Sequence, residues 1–162
     1  MANTFTQINL HAVFAVKYRN CLITEDYSEQ LFKYIAGILR EIKCRPLSVG
    51  GYLNHVHILY ELHPAQSVSE QMSIVKSNSS KWINDKGFVR SKFEWQNGYG
   101  AFGVGKNDRS RVMNYIMNQQ EHHQEINFKA EYLKILNDEA VDFAPPNAAP
   151  RRPRSSRNYL AR

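Results

Sequence analysis

Hydrophobic and polar positions switch period several times along the chain, and each switch marks an element. From Phe5 to Val16, the apolar Ile8, Leu10, Ala12, Phe14 and Val16 alternate with Gln7, Asn9 and His11, which predicts a strand. Lys17-Tyr18-Arg19-Asn20 closes it with a basic turn. Thr24 then stands as an N-cap before the acidic Glu25 and Asp26, and Leu31, Ile35, Ile38, Leu39 and Ile42 form one apolar stripe at helical spacing up to about Lys43. Leu47 to Tyr52 and Leu53 to Leu62 read as two further strands, with Gly50-Gly51 marking a bulge or turn. A second helix follows from Val68 to about Asp85, with Ser67 or Ser69 at its start and Lys86-Gly87 at its end. After a loop carrying Trp95, Tyr99 to Val104 is a fourth strand among glycines. Asp108 opens a third helix running to about His123, and Phe128 to Leu136 is a short last one.

The order β-α-β-β-α-β predicts an α+β fold, a ferredoxin-like or RRM-like sheet, with an added C-terminal helix that bears Tyr115. Such a sheet carries helices on one face and leaves the other available to a ligand. Residues 1–137 fit one domain. Residues 138–162 change character: Pro145, Pro146, Pro150 and Pro153 mix with Arg151, Arg152, Arg154, Arg157 and Arg162, which predicts a disordered basic tail.

Composition narrows the class. The 162 residues are 43% hydrophobic, enough for a core, and the net charge of +6 favours an anionic partner such as nucleic acid. Cys21 and Cys44 form neither a CxxC pair nor a disulfide framework, which fits a reduced cytoplasmic setting. The N-terminal stretch does not read as a signal peptide, and no apolar run reaches the ~18 residues of a membrane span.

Candidate chemistry lies on the third strand and the third helix. Alternation puts Val56, Ile58, Tyr60 and Leu62 on a core face and His55, His57, Leu59 and Glu61 on the other. Two imidazoles at i, i+2 can share a transition-metal ion, although two histidines on a half-exposed strand show the same pattern. On the helix, Tyr115 and Gln119 are i, i+4 and share a face; a phenol there is commonly a packing residue, and the amide can offer a carbonyl oxygen to a metal. Adjacent His122 and His123 diverge by about 100° on a regular helix, so they read as helix-end residues near its C-terminal dipole. Lys17, Arg19, Lys76, Lys81, Lys92, Lys106, Arg109 and Arg111 are candidates for phosphate contact, set against a merely solvated basic surface, and Tyr18, Trp82 and Trp95 for base stacking.

Four stretches taken together resemble one family. They are His11 to Arg19 (HAVFAVKYR), Asn54 to Leu59 (NHVHIL), Trp95 to Phe102 (WQNGYGAF) and Tyr115 to His123 (YIMNQQEHH). In this order and spacing the chain resembles the single-tyrosine HUH transposases of bacterial insertion sequences, over about residues 4–137. The resemblance implies that His55 and His57 bind a divalent metal, Mg2+ or Mn2+, with Gln119 as third ligand and Tyr115 as nucleophile. It implies a DNA strand cut and rejoined through a 5′-phosphotyrosine link, on single-stranded DNA with hairpin ends, without a nucleotide cofactor. It further implies a homodimer whose active sites are shared between subunits. The chain departs from the pattern at Gly103-Val104-Gly105, where serines are usual, and after Asp142. Other readings are a domesticated relative acting on repeated hairpins, a non-catalytic single-strand nucleic-acid-binding module and a metal-dependent hydrolase.

Overall fold

A computed structural model of the protein describes residues 3–125 and 127–138. The predicted tail therefore lies, beyond its first residue, outside the described residues. Four strands, β1 (Asn9–Ala15), β2 (Arg45–Tyr52), β3 (His55–Glu61) and β4 (Gly100–Val104), form one sheet in the order β2-β3-β1-β4. Every neighbouring pair is antiparallel. The helices α1 (Glu25–Glu41) and α2 (Val68–Lys86) are the two crossovers, as the ferredoxin-like order requires.

The crossovers cover one face because their apolar stripes match it. On α1, Tyr27, Leu31, Ile35, Ile38 and Leu39 are buried, and they join Ala12, Phe14, Val16, Val56, Ile58 and Tyr60 in the main core. Polar groups trapped there are satisfied: the Tyr60 hydroxyl donates to Gln71 at 2.9 Å, and the Trp95 indole donates to Ser79 at 2.9 Å. The ends of α2 follow local chemistry. Ser67 and Glu70 form a reciprocal capping box, and Gly87 ends the helix in the left-handed conformation at φ 67°.

The other face is not open, contrary to the expectation from the fold pattern. It is covered by α3 (Arg109–Met117), α4 (Gln119–Glu125) and α5 (Phe128–Asp138). Leu59 of β3 packs with Val112 and Ile116 of α3, and Val13 and Ala15 of β1 pack with Phe128 of α5. Here α3 lies directly on β2, at a point where that strand has no side chain. A Cβ on Gly50 would stand 2.7 Å from the Ile116 carbonyl oxygen. The single helix expected from Asp108 to His123 is two: Asn118, at φ −97° and ψ 21°, breaks it between α3 and α4. The first strand also starts later than the alternation suggests, since Phe5 is 92% exposed and β1 begins only at Asn9.

Candidate active site

The covered face brings histidines together by register. In antiparallel strands, residues directly opposite share a face. Val13 lies opposite His57, Ala15 opposite His55, and His11 opposite Leu59, so His11 is the diagonal neighbour of His57. His55 and His57 are both 0% exposed. The three C-terminal helices then deliver Tyr115 from α3, Gln119 and His123 from α4, and Glu131 from α5 into the same space. Its cleft, about 380 Å³, is lined by His11, Arg111, Tyr115, His122, Glu131 and Lys134 among others.

Glu131 is the hub. Its Oε1 accepts the hydrogen bond of the Tyr115 hydroxyl and one from Gln119 Nε2 at 3.2 Å. The same atom is 3.2 Å from His57 Nε2, while Oε2 is 3.4 Å from His55 Nε2 and 2.7 Å from His123 Nε2. Gln119 turns its carbonyl oxygen to His55 Nε2, at 3.0 Å, and its amide to the Tyr115 carbonyl. Tyr115, Gln119, His55 and His57 therefore meet within one chain.

Burial sets the protonation of this cluster. It pushes His55 and His11 down to about 3, with the neighbouring His57 adding to the effect, so both rings are neutral at pH 7. Burial raises Tyr115 well above the ordinary phenol range, and the hydrogen bond and charge of Glu131 raise it further. Burial alone would raise Glu131 as well. Its contacts with His57, Tyr115 and His55 outweigh that and hold the carboxyl below the usual carboxylate range, so it is ionised.

Proton accounting indicates what the cluster can hold. Neutral His55 has one N–H, yet oxygens face both of its nitrogens: Asn54 Oδ1 is 2.8 Å from Nδ1, and Gln119 Oε1 is 3.0 Å from Nε2. One ring nitrogen must then point a lone pair at an oxygen lone pair. His57 Nε2 and Glu131 Oε2 are buried and make no well-directed hydrogen bond, despite the short distances around them. Lone-pair atoms converging without protons to share are what a cation would relieve. Ligand atoms of His55, His57 and Glu131 all lie within 4.8 Å of one another. Two imidazole nitrogens, a carboxylate and an amide oxygen fit a divalent ion such as Mn2+.

The basic candidates are spread more widely. Arg111 lines the cleft, with Asp108 3.4 Å away, and Lys134, which the sequence did not single out, lines it too. Arg19 borders a small separate cavity with Gln96 to Tyr99, Phe128 and Tyr132. Lys17 and Lys92 are paired with Glu94, and Lys81 with Asp85. Lys76 donates to the carbonyls of Gln96 and Gly98, both at 2.7 Å, and so ties down that loop. Lys76, Lys81 and Lys92 line a separate groove of about 550 Å³ beside α2. Lys106 lies in the turn before α3, and Arg109 is its first residue. Of the aromatic candidates, Tyr18 is 81% exposed, whereas Trp82 stacks on Tyr34 and Trp95 is buried in the core.

His123 corrects the reading of the histidine pair. Though adjacent on α4, both rings come close to Glu131 of α5, His123 at 2.7 Å and His122 at 3.8 Å. Glu131 itself carried no signal in the sequence, being one acid on a short amphipathic helix. His11 was visible as a polar member of an alternating strand and as the first residue of a family-like stretch, without a role of its own.

Comparison with known proteins agrees with this architecture. A family model described as Transposase IS200 like matches residues 4–119. The transposases for insertion sequence element IS200 of Salmonella typhimurium and Salmonella typhi are each 32% identical to this chain, over 75% of it and 82% of their own length. Among solved structures, a candidate transposase of Deinococcus radiodurans R1 superposes with a TM-score of 0.60 at 17% identity, covering 74% of this chain and 95% of its own. A REP-associated tyrosine transposase bound to a REP hairpin superposes with a TM-score of 0.56 at 14% identity, covering 78% and 74%. At such identities the two structures establish likeness of fold.

Proposed function

The chain belongs to the IS200-like transposase family, and on that premise we propose that it cuts and rejoins single-stranded DNA through a covalent bond between Tyr115 and a 5′ phosphate. One observation carries this reading: the Tyr115 hydroxyl is hydrogen-bonded to a carboxylate that also adjoins both histidines of the cation cluster.

His55, His57, Gln119 and Glu131 would hold the divalent ion, Mg2+ or Mn2+. When bound, it polarises a phosphate oxygen and offsets charge built up at phosphorus. The chain's own groups do the rest. Tyr115 is a poor nucleophile while protonated, and its raised pKa makes free phenolate scarce. Glu131 Oε1 is placed to take the phenolic proton as the Tyr115 oxygen bonds to phosphorus. The bond from phosphorus to the 3′ oxygen of the preceding nucleotide breaks, and that oxygen leaves as a 3′-hydroxyl. The phosphotyrosine keeps the energy of the phosphodiester, so attack by another 3′-hydroxyl rejoins DNA without a nucleotide cofactor. Arg111 and Lys134, at the cleft, are suited to flank the DNA phosphates.

The substrate would be single-stranded DNA with hairpin ends, as the hairpin-bound relative suggests. Residues 1–137 would form the catalytic domain, working in the cytoplasm, and the arginines beyond it would add sequence-independent affinity. No helix among the described residues is long and apolar enough to cross a membrane. A homodimer remains the expected assembly. Because one chain already brings Tyr115 to His57, we expect each site to be complete in cis; mixing His57→Ala with Tyr115→Phe protein would then restore no cleavage.

The direct test incubates the protein with single-stranded and duplex DNA from its own flanks, with and without Mn2+, followed by a denaturing gel. A metal-dependent covalent shift on the single strand alone, lost in Tyr115→Phe, is expected. An adduct formed by Tyr115→Phe would move the nucleophile elsewhere, and cleavage without any adduct would indicate a hydrolase.

A further inference from the structure

The rings of His55 and His57 are each held at the nitrogen that faces away from Glu131. His57 Nδ1 is 2.8 Å from His11 Nε2, and His55 Nδ1 is 2.8 Å from Asn54 Oδ1. The first pair is unusual, because one imidazole faces another in a buried setting. The two ring planes are 25° apart, with centroids separated by 5.1 Å. That end-to-end arrangement lets a lone pair in one ring plane meet an N–H in the other.

We propose that His11 is a positioning residue, whose Nε2 accepts the His57 Nδ1–H and so leaves the His57 Nε2 lone pair aimed at the cation cluster, while Asn54 Oδ1 does the same for His55. This rests on the metal-binding reading of His55 and His57. A neutral imidazole carries its proton on one nitrogen only, so fixing it on Nδ1 frees Nε2. Asn54 Oδ1 can only accept, which settles the direction of its bond. Asn54 Nδ2 points to the Arg19 carbonyl, 3.5 Å away, which agrees with that orientation of the amide.

The arrangement also explains why a histidine sits on β1 at this position. His11 is diagonal to His57 across the β1–β3 pairing, close enough for a ring-to-ring bond but not for a shared ligand position. Its ring also lines the cleft beside Tyr115, with centroids 6.3 Å apart. Acceptors that orient metal-binding histidines commonly set affinity by ~10–100-fold.

Three variants test this in the full-length protein. His11→Leu removes the acceptor at similar bulk, His11→Gln keeps an acceptor at comparable reach, and His11→Asn is polar but too short. Mn2+ affinity is read by calorimetry, and the His57 tautomer by 15N NMR of metal-free protein. The expected result is His57 protonated on Nδ1 in the parent. His11→Leu and His11→Asn should bind Mn2+ about 10–100-fold more weakly, with His11→Gln near the parent. Should His11→Leu fail to fold, the comparison of Asn with Gln still decides. Unchanged Mn2+ affinity in His11→Asn, or His57 protonated on Nε2 in the parent, would overturn the proposal alone. A parent that binds Mn2+ no better than His55→Ala would instead remove the metal reading, and this inference with it.

Discussion

The Tyr115 hydroxyl donates its hydrogen bond to Glu131, a carboxylate carried by a different helix and 2% exposed. The acceptor lies in the last described helix, beyond the residues matched by the family model, which end at Gln119. The contact gives the phenol a proton acceptor in a site where burial has made ionisation costly. Glu131→Gln keeps the shape and a hydrogen-bonding oxygen but removes the negative charge. The rate of covalent adduct formation should fall about 10²-fold or more, the usual scale for losing a general base. Single-turnover gels at saturating Mn2+ separate this from weakened metal binding. An unchanged rate under those conditions would deny Glu131 the proton-accepting role.

Acid should destabilise the metal-free protein through its neutral histidines. His55 and His11 are pushed down to about 3 in the folded chain, mainly by burial, against about 6.5 when unfolded. Between those values the unfolded chain binds more protons than the folded one, so stability rises with pH. Lowering the pH from 7.5 to 5 should therefore lower Tm progressively from about pH 6.5 downward. Mn2+ should raise Tm at pH 7.5 and lose that effect across the same window, since protons compete for the imidazoles. Thermal melts across the range check both. A Tm that stays flat from pH 7.5 to 5 would contradict the burial argument.

The parts legible in the sequence were those written by local periodicity. Alternation along β3 separated Val56, Ile58 and Tyr60 from His55, His57 and Leu59, and the main core takes the first set. Ser67 or Ser69 and Lys86-Gly87 marked the ends of α2 because capping is local chemistry, and the structure takes Ser67 and Gly87 as the caps. What stayed hidden depends on long-range placement. Glu131 drew no notice in the sequence; it is buried, with Phe128 and Leu136, only because of how α5 packs. His11 belongs with His57 only through the β1–β3 register, which one strand alone cannot specify. His122 and His123 remain adjacent on one helix, α4, and still diverge; that both rings come within 3.8 Å of Glu131 depends on where α4 and α5 pack, which their own spacing does not specify.

Gly50 should prove necessary for seating Tyr115. It lies opposite His57 in the β2–β3 pairing, under the end of α3. An added methyl would come within 2.7 Å of the Ile116 oxygen and 2.9 Å of Ile116 Cγ2, and backbone is one of the two atoms met. Gly50→Ala must lift α3 from the sheet, disturbing the contact of Ile116 with Leu59 and the position of neighbouring Tyr115. Overpacking of this kind costs about 1–3 kcal/mol, readable by urea denaturation, and adduct formation should slow as well. Parent-like stability and rate in Gly50→Ala would mean that α3 is not fixed at this point.

Tyr18 should show a trade of stability for binding. It sits in a left-handed conformation at φ 59°, followed by Arg19 at φ 58°, in the turn after β1. Side chains other than glycine are strained there, by about 1 kcal/mol or more. The strain has no packing return, because the ring is 81% exposed. Lys17 Nζ stands 5.6 Å from the ring centroid, so the turn presents an aromatic face next to a cation. Arg19 opens onto the cavity that also includes Tyr99 and Phe128. An exposed ring beside positive charge suits an unpaired base stacked next to its phosphate. Tyr18→Gly should leave the protein as stable as the parent or slightly more so. Its affinity for single-stranded DNA should fall by ~1–3 kcal/mol, the scale of one base stacked on an aromatic ring. Fluorescence anisotropy at one fixed salt concentration measures the change, because phosphate contacts vary with salt and stacking varies far less. Tyr18→Phe keeps the ring and should bind like the parent. If Gly and Phe bind alike, the ring takes no part in holding the strand.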